Sequence, residues 1–334
     1  MIKPRTYSVP QSLEDKINEV LENQFSISLD DHKAIAECIE ALSEHYIRLP
    51  GTKTPWKEDW CQIAYLAYYL PLNEIRARAV IEEGQKFHFF DHIDEVTDFG
   101  SGLGSSTFNL KFENQIHIED SLIAQKLHQQ LGGNGKWSTS FQKTSTNSLL
   151  SMSYSLTELE EIPSWFFNFQ SLMIIEPATH AQGRKLLQLR EQLIEKGYFI
   201  WAPCTHQKKC PLLHQSKTDW CHDRVHFDQN SWFSKIETHL PIRNSTLTFS
   251  YLLARRTKPP HTENMARTTG DMLPEKGKTR QLICRDENRE FLAWMHKNTD
   301  PQEIPRGTLI EWPTEFTLKS NEVRVNGRIH PYQF

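Results

Sequence analysis

"VTDFGSGLGSSTFNL", residues 96–110, reads as a strand that runs into a glycine turn and leaves it as a helix. Gly100, Gly102 and Gly104, with Ser101 between them, let the backbone turn sharply and come close to a ligand. A helix starting near Ser105 would aim free N–H groups at the same point. The surroundings sharpen the reading. Asp98 closes the first strand, and a second strand, "QIHIE", ends in Glu119, 21 residues further on. A carboxylate there can accept hydrogen bonds from both ribose hydroxyls of an adenosine ligand. Dinucleotide sites space their glycines G-x-G-x-x-G, whereas this turn is G-S-G-L-G after Asp98. That pattern suits S-adenosylmethionine, with a dinucleotide or a ligand-free turn as the alternatives. The expected cofactor residues are Asp98, Gly100, Ser101, Gly102, Gly104 and Glu119, with Asp120 a rival for the ribose.

Outward from this turn, short apolar runs alternate with helical periodicity. "DEVTDF", "QIHIE", "TSFQ", "LLSMSYS", "SLMIIEP", "GYFIWAP" and "LTFSYLLAR" read as strands. "SSTFNLKF", "LIAQKLHQQL" and "GRKLLQLREQLIEKG" read as the helices between them. Seven strands, the last two joined by a long insertion, suit an α/β fold of the class I methyltransferase type: a Rossmann-like parallel sheet covered by helices. Its expected span is 91–260, with a cysteine-rich insertion at about 203–235. Residues 1–90 are helical: Ser12 and Ser28 look like N-caps, and Pro71 should bend or split a third helical stretch. Residues 261–334 turn to strand-and-turn patterning in "QLICRDE", "EFLAWMH", "TLIEWP" and "NEVRVNG", which suggests a small β-rich, barrel-like domain.

No catalytic signature accompanies the turn. The fourth strand end, "SMSYSLTELE", lacks the Asn/Asp-Pro-Pro-aromatic turn used on exocyclic base amines, and no Pro-Cys occupies the place of a cytosine-carbon nucleophile. No catalytic residue is assigned. Ser153–Tyr154 and Glu176–Pro177 are placed at the transfer pocket by strand-end position alone.

Bulk properties narrow the setting. The chain holds 334 residues with a net charge of −4, and no apolar run reaches the roughly 18 residues of a membrane span. Its start lacks an export or transit pattern, so a cytoplasmic protein with reduced thiols is expected. Residues 1–98 carry 10 of the 38 Lys and Arg but 18 of the 42 Asp and Glu, which leaves the remainder mildly basic. DNA is not an expected partner. Patches such as "LARRTKPP" could touch RNA phosphates.

Three of the six cysteines fall in "APCTHQKKCPLLHQSKTDWCH": Cys204, Cys210 and Cys221. No C-x-x-C knuckle is present, yet a polar loop offers no core for thiols to fill, so a metal or cluster site is expected, with a redox or incidental role as the alternative; Cys284 of the β-rich tail could close the site as a fourth ligand. Cys38 and Cys61 fall on apolar helical periodicity and read as core. Four thiolates suit tetrahedral zinc or a 4Fe–4S cluster, and the wide spacing with Pro211 after Cys210 leans to the cluster. His206, His214 and His222 are possible zinc ligands.

In this order, "YLAYYLPLNEIRARAVIEE", "VTDFGSGLGSS", "SYSLTEL", "MIIEPAT", "APCTHQKKCPL", "DWCH" and "YLLARR" resemble the methyltransferase-like family associated with the mitochondrial small ribosomal subunit, which has bacterial members. The resemblance implies a seven-stranded core that binds small-subunit ribosomal RNA during ribosome assembly. It also implies a 4Fe–4S cluster on Cys204, Cys210, Cys221 and Cys284, and adenosylmethionine at Asp98 to Gly104 and Glu119. The chain departs in the inserted "LLHQSKT" and in keeping only Arg224 of the basic residues after the third cysteine. Either methyl transfer to ribosomal RNA or a non-catalytic scaffold role follows from the resemblance.

Overall fold

The structure is a computed structural model and describes residues 2–49, 51–141, 145–260 and 263–334. A short strand β1 (Thr6–Tyr7) precedes α1 (Gln11–Phe25) and α2 (His32–Arg48). Helix α3 (Asp59–Ala64) runs through a π-helical turn at Tyr65–Tyr69 into α4 (Leu70–Lys86). The expected caps shift. Helix α1 starts after Pro10 with Ser12 already inside it, and α2 starts after Asp31, whose carboxylate accepts from the Ser28 N–H at 2.6 Å. Pro71 does not split its helix. The π turn just before it absorbs the missing N–H and the ring's bulk, so the helix continues.

The central sheet follows: β2 (Glu95–Phe99), β3 (Asn114–Ile118), α5 (Leu122–Gln130), β4 (Lys136–Ser138), β5 (Ser148–Ser153), β6 (Ser171–Glu176), α6 (His180–Glu195) and β7 (Phe199–Ala202). Then come α7 (Pro211–His214), β8 (Asp223–Phe227), α8 (Ser231–Thr238) and β9 (Thr246–Arg255). The strands lie in the order β4-β3-β2-β5-β6-β9, parallel except for β9, with β7 and β8 sharing the far edge of β9. Seven of these strands match the expected class I methyltransferase sheet. The third lies at Lys136–Ser138 and not at 139–142, of which Gln142 is outside the described residues. Strands β1 and β8 are additions that raise the sheet to nine; both are too short or too polar to stand out by alternation. "SSTFNLKF" forms successive turns and no helix.

Pleating divides the core. Leu149, Met173 and Leu253 face the helical front, while their neighbours Leu150, Ile174 and Leu252 face α6.

Six strands build the C-terminal sheet: β10 (Met265–Glu275), β11 (Lys278–Cys284), β12 (Glu290–Met295), β13 (Leu309–Glu311), β14 (Phe316–Lys319) and β15 (Glu322–Val325). Strands β10, β11 and β12 form a meander, β12 pairs with β15 in parallel, β14 pairs with β15, and β13 returns to β10. If β13 and β14 are taken as one interrupted strand, this is the connectivity of a five-stranded Greek-key barrel of the OB type. Its interior holds Trp294, Ile283, Leu292, Ile310 and Val323. The opposite faces of β11 and β12 are covered: Leu282 and Phe291 pack with Leu187, Cys210 and Leu212 of the core.

Candidate cofactor loop and cysteine site

The turn after β2 carries Gly100, Gly102 and Gly104 at φ of 63°, 50° and 75°, left-handed values that other residues resist. Packing adds to this demand. A Cβ on Gly100 would lie 2.6 Å from Cβ of Ser155, and one on Gly104 would lie 2.4 Å from Nδ1 of His128. Beneath the turn, His128 Nδ1 also meets the Leu103 carbonyl at 3.0 Å.

Asp98 takes a different place from the expected one. Its side chain points into the sheet, only 1% exposed, and Oδ1 accepts from Ser106 Oγ at 2.9 Å. Ser106 in turn accepts from Ser151 Oγ at 3.0 Å. Oδ2 has no partner, with His117 Nδ1 3.9 Å away. Burial outweighs the two serine hydroxyls and pushes the Asp98 carboxyl up to about 7. Burial likewise drives His117 down to about 4, and its Nε2 donates to the Asn134 carbonyl at 2.9 Å. Asp98 therefore buttresses the turn from below. Ser101 is buried in the turn, with its hydroxyl unpartnered.

Glu119, just past β3, is where the sequence puts it. Oε2 accepts from the Gly102 N–H at 3.1 Å and Oε1 from the Ser121 N–H at 3.0 Å. A carboxylate has about four acceptor sites, so two stay open for a ribose diol. Asp120 turns outward to Lys53 Nζ at 2.7 Å. Lys53 and Trp56 belong to a segment lying over the turn; the ring of Trp56 would be 3.7 Å from a Cβ on Gly102.

At the strand ends beside the turn, Phe141 stacks on Trp165 with centroids 3.7 Å apart, and Phe99 lies 5.4 Å from Phe141. This aromatic wall was not legible as part of the site. Glu176, one of the expected pocket residues, is 2% exposed; its Oε1 accepts from the Leu156 N–H at 3.1 Å and Oε2 has no partner. Burial raises its carboxyl to about 8. Tyr154 holds a left-handed φ of 62° with Arg76 over its ring at 5.9 Å.

Cys204, Cys210, Cys221 and Cys284 lie within electrostatic reach of one another. Burial first, and then the proximity of Cys204, Cys210 and Cys221, pushes the Cys284 thiol well up; Cys221 is raised by burial and by Cys204 and Cys210. Cys210 and Cys221 share an apolar pocket with Leu282 of β11. Among the described residues no three His, Cys, Asp or Glu side chains are placed to hold a metal ion between them. Cys61 is fully buried in α3 and Cys38 packs on the same core, as their periodicity implies.

Two arginines of α6 shape the loop. Arg184 donates to the carbonyls of Leu212, Leu213, Ser216 and Asp219 at 3.0–3.2 Å. This fixes the inserted stretch between the second and third cysteines. Arg190 donates through Nε to Cys204 Sγ at 3.1 Å. Arg190 could have been found in the sequence, because it falls on the apolar stripe of Leu186, Leu187 and Leu193. The histidines turn to other partners: His214 pairs with Glu191 at 2.7 Å, His222 stacks on Trp220, and only His206 nears a sulfur, 3.5 Å from Cys284 Sγ.

The loop also joins the two domains. Thr205 Oγ1 donates to the Cys284 carbonyl at 3.1 Å, Arg267 Nε to the Pro203 carbonyl at 2.6 Å, and Arg289 pairs with Asp219 at 2.7 Å. Arg224, the remaining basic residue after the third cysteine, forms a two-pronged pair with Asp271 of the barrel at 2.9 and 3.0 Å. Glu83 of α4 and Arg267 of β10 form a buried pair. Burial alone would raise the Glu83 carboxyl, but Arg267, Lys86 and Arg5 hold it near 2.

A mostly parallel sheet in this strand order, with a glycine turn after its first core strand and a carboxylate after its second, defines a chain of the class I methyltransferase type. Similarity to known families agrees on the region. The chain belongs to the Rsm22 family, described as mitochondrial small ribosomal subunit Rsm22, which matches residues 93–296. No curated protein sequence matches it. Among solved structures, it is similar to a Pyrococcus horikoshii protein provisionally assigned as an RNA methyltransferase, at 15% identity and a TM-score of 0.34, over 65% of this chain and 95% of that one. It is also similar to M. capricolum TrmK bound to S-adenosylhomocysteine, at 10% identity and a TM-score of 0.30, over 53% and 69%. A third is magnesium protoporphyrin IX methyltransferase of Synechocystis, at 11% identity and a TM-score of 0.35, over 73% and 100%. Among the described residues no helix is long and apolar enough to cross a membrane.

Proposed function

We propose that this protein is an adenosylmethionine-binding, methyltransferase-like factor of small ribosomal subunit assembly. In this reading it acts on or binds ribosomal RNA and carries a 4Fe–4S cluster on Cys204, Cys210, Cys221 and Cys284. The observation that carries the reading is that three thiols of the loop after β7 lie close enough to a fourth, on the barrel strand β11, to push it up, inside a family named for the small subunit. The donor set is all sulfur, as such clusters require. Around one zinc ion, sulfurs 2.3 Å from the metal would sit about 3.8 Å from each other. In a cubane each thiolate takes its own iron, so the four spread more widely. The reduced thiols suit a cytoplasmic setting.

Adenosylmethionine, when bound, supplies an electrophilic methyl group. In this reading the chain's own part is to hold the ribose on Glu119, to bring the Gly102 backbone close, and to exclude water with Trp56 and the Phe141–Trp165 wall. A scaffold without methyl transfer is the second reading. It is favoured by the Lys53–Trp56 segment lying over the turn and by the lack of a catalytic motif at the strand ends.

Protein purified without oxygen tests the first reading. About four irons per chain with broad visible absorption is expected; a colourless protein with one zinc, or with no metal, refutes the cluster. Labelled adenosylmethionine with immature small subunits then separates the two functions. Label in the RNA supports the enzyme, and binding without label supports the scaffold.

A further inference from the structure

We infer that Arg190 is the fixed positive charge that balances the cysteine site and sets its redox preference. The inference rests on the proposed metal centre and names a residue that tunes it. Arg190 lies on the buried face of α6 at 0% exposure. Nε donates to Cys204 Sγ at 3.1 Å, Nη2 donates to the His206 carbonyl at 2.9 Å, and Nη1 has no partner. Among the described residues no carboxylate forms an ion pair with it. Its chain neighbour Glu191 is spent on His214 at 2.7 Å and on the Cys210 N–H at 3.1 Å. Arg5, Arg224, Arg267 and Arg289, arginines around the domain junction, each have a carboxylate: Asp223, Asp271, Glu83 and Asp219.

A buried guanidinium without an anion is costly. The groups that act most strongly on it are the sulfurs of Cys204, Cys210 and Cys284, while the Glu191 carboxylate acts on it from a distance without a bond. Sulfur is anionic here when it ligates metal, since ligands bind deprotonated. Each electron added to an iron–sulfur centre makes it more negative, and net charge and hydrogen bonds to sulfur are what set its potential. A fixed cation touching Cys204 therefore favours the reduced form. Arg190 is a positioning residue in this sense: it acts on the centre through a ligand.

The test compares Arg190→Gln and Arg190→Lys with the unaltered full chain, purified without oxygen, by iron content and by a one-electron redox titration followed by visible and paramagnetic spectra. Arg190→Gln should weaken the preference for the reduced form at least tenfold, about 59 mV downward for one electron. Arg190→Lys should recover most of that shift. A cluster retained in Arg190→Gln at an unmoved potential overturns the inference, as does Arg190→Lys shifting as far as Arg190→Gln. If Arg190→Gln fails to fold or to hold iron, Arg190→Lys decides. Iron kept at a near-normal potential supports charge balance, and loss of iron there too assigns the residue a structural role only and overturns it. Failure of the underlying reading is separate, because it appears as an iron-free unaltered protein before any variant is compared.

Discussion

Replacing Asp98 by Asn should flatten the pH dependence of stability in a calculable way. The Asp98 carboxyl is raised from 3.8 to about 7 by burial. The folded chain thus binds its proton more tightly than the unfolded chain does. Stability from this group is full below the unfolded value and is lost as pH rises through the folded one. At about 1.36 kcal/mol per pH unit over the two units between pH 5 and the folded value, the protein should lose about 2.5 kcal/mol between pH 5 and pH 8 relative to Asp98→Asn. Asn keeps an oxygen to accept from Ser106 and carries no titrating proton. Urea unfolding of both proteins at pH 5, 6, 7 and 8, compared as a difference, isolates the group. Glu176, which titrates in the same range and the same direction, is common to both and cancels. A difference constant within about 0.5 kcal/mol across that range would show that Asp98 is ionised throughout, and the account of the turn's buried support would be wrong.

Two further substitutions probe the join between domains. Glu83→Ala strands the buried Arg267 and should cost about 3–5 kcal/mol, read as a lower Tm and faster proteolysis between β9 and β10; an unchanged Tm would mean the pair is solvated. Cys284→Ser should lower the metal content and the Tm together, whereas Cys38→Ser, remote in α2, should leave the metal unchanged. Full metal in Cys284→Ser would remove the barrel from the site.

Much of the fold was legible because its core strands are fully buried. "SLMIIE" and "LTFSYLLAR" announce themselves as continuous apolar runs bounded by turn residues. What escaped had weaker local signals. Strand β8, "DRVHF", lies inside the polar insertion and exists because β9 is long enough to pair with both β7 and β8. Strand β10 carries Arg267 and Gly270 in its middle, and the buried Arg267 is satisfied there by Glu83 and by the Pro203 and Gly307 carbonyls. The helix expected after the glycine turn did not form; Ser105, Ser106 and Thr107 favour local hydrogen bonds, and Ser106 is used on Asp98. At the site itself, strand lengths set the register that puts Glu119 just past β3, where its carboxylate reaches the Gly102 N–H. The inward turn of Asp98 depends on the pleat of β2 and on Ser106 and Ser151, two residues that no turn pattern contains. Cysteine spacing pointed to a cluster of sulfurs. Arg190 was missed because an arginine within a helix reads as surface until its stripe is counted.

The cysteine loop departs from the edge of β9 at the end of β7 and rejoins that same edge at the start of β8, so it is a detour from a road that continues beneath it. Its two ends are pinned by sheet hydrogen bonds that owe nothing to sulfur. Emptying the detour of whatever it carries should leave the road intact and loosen only the barrel moored to it, which the Glu83–Arg267 and Arg224–Asp271 pairs still hold. Such a chain would answer a shortage of what the loop carries by degrees, loosening at one joint while the sheet and its glycine turn keep their shape.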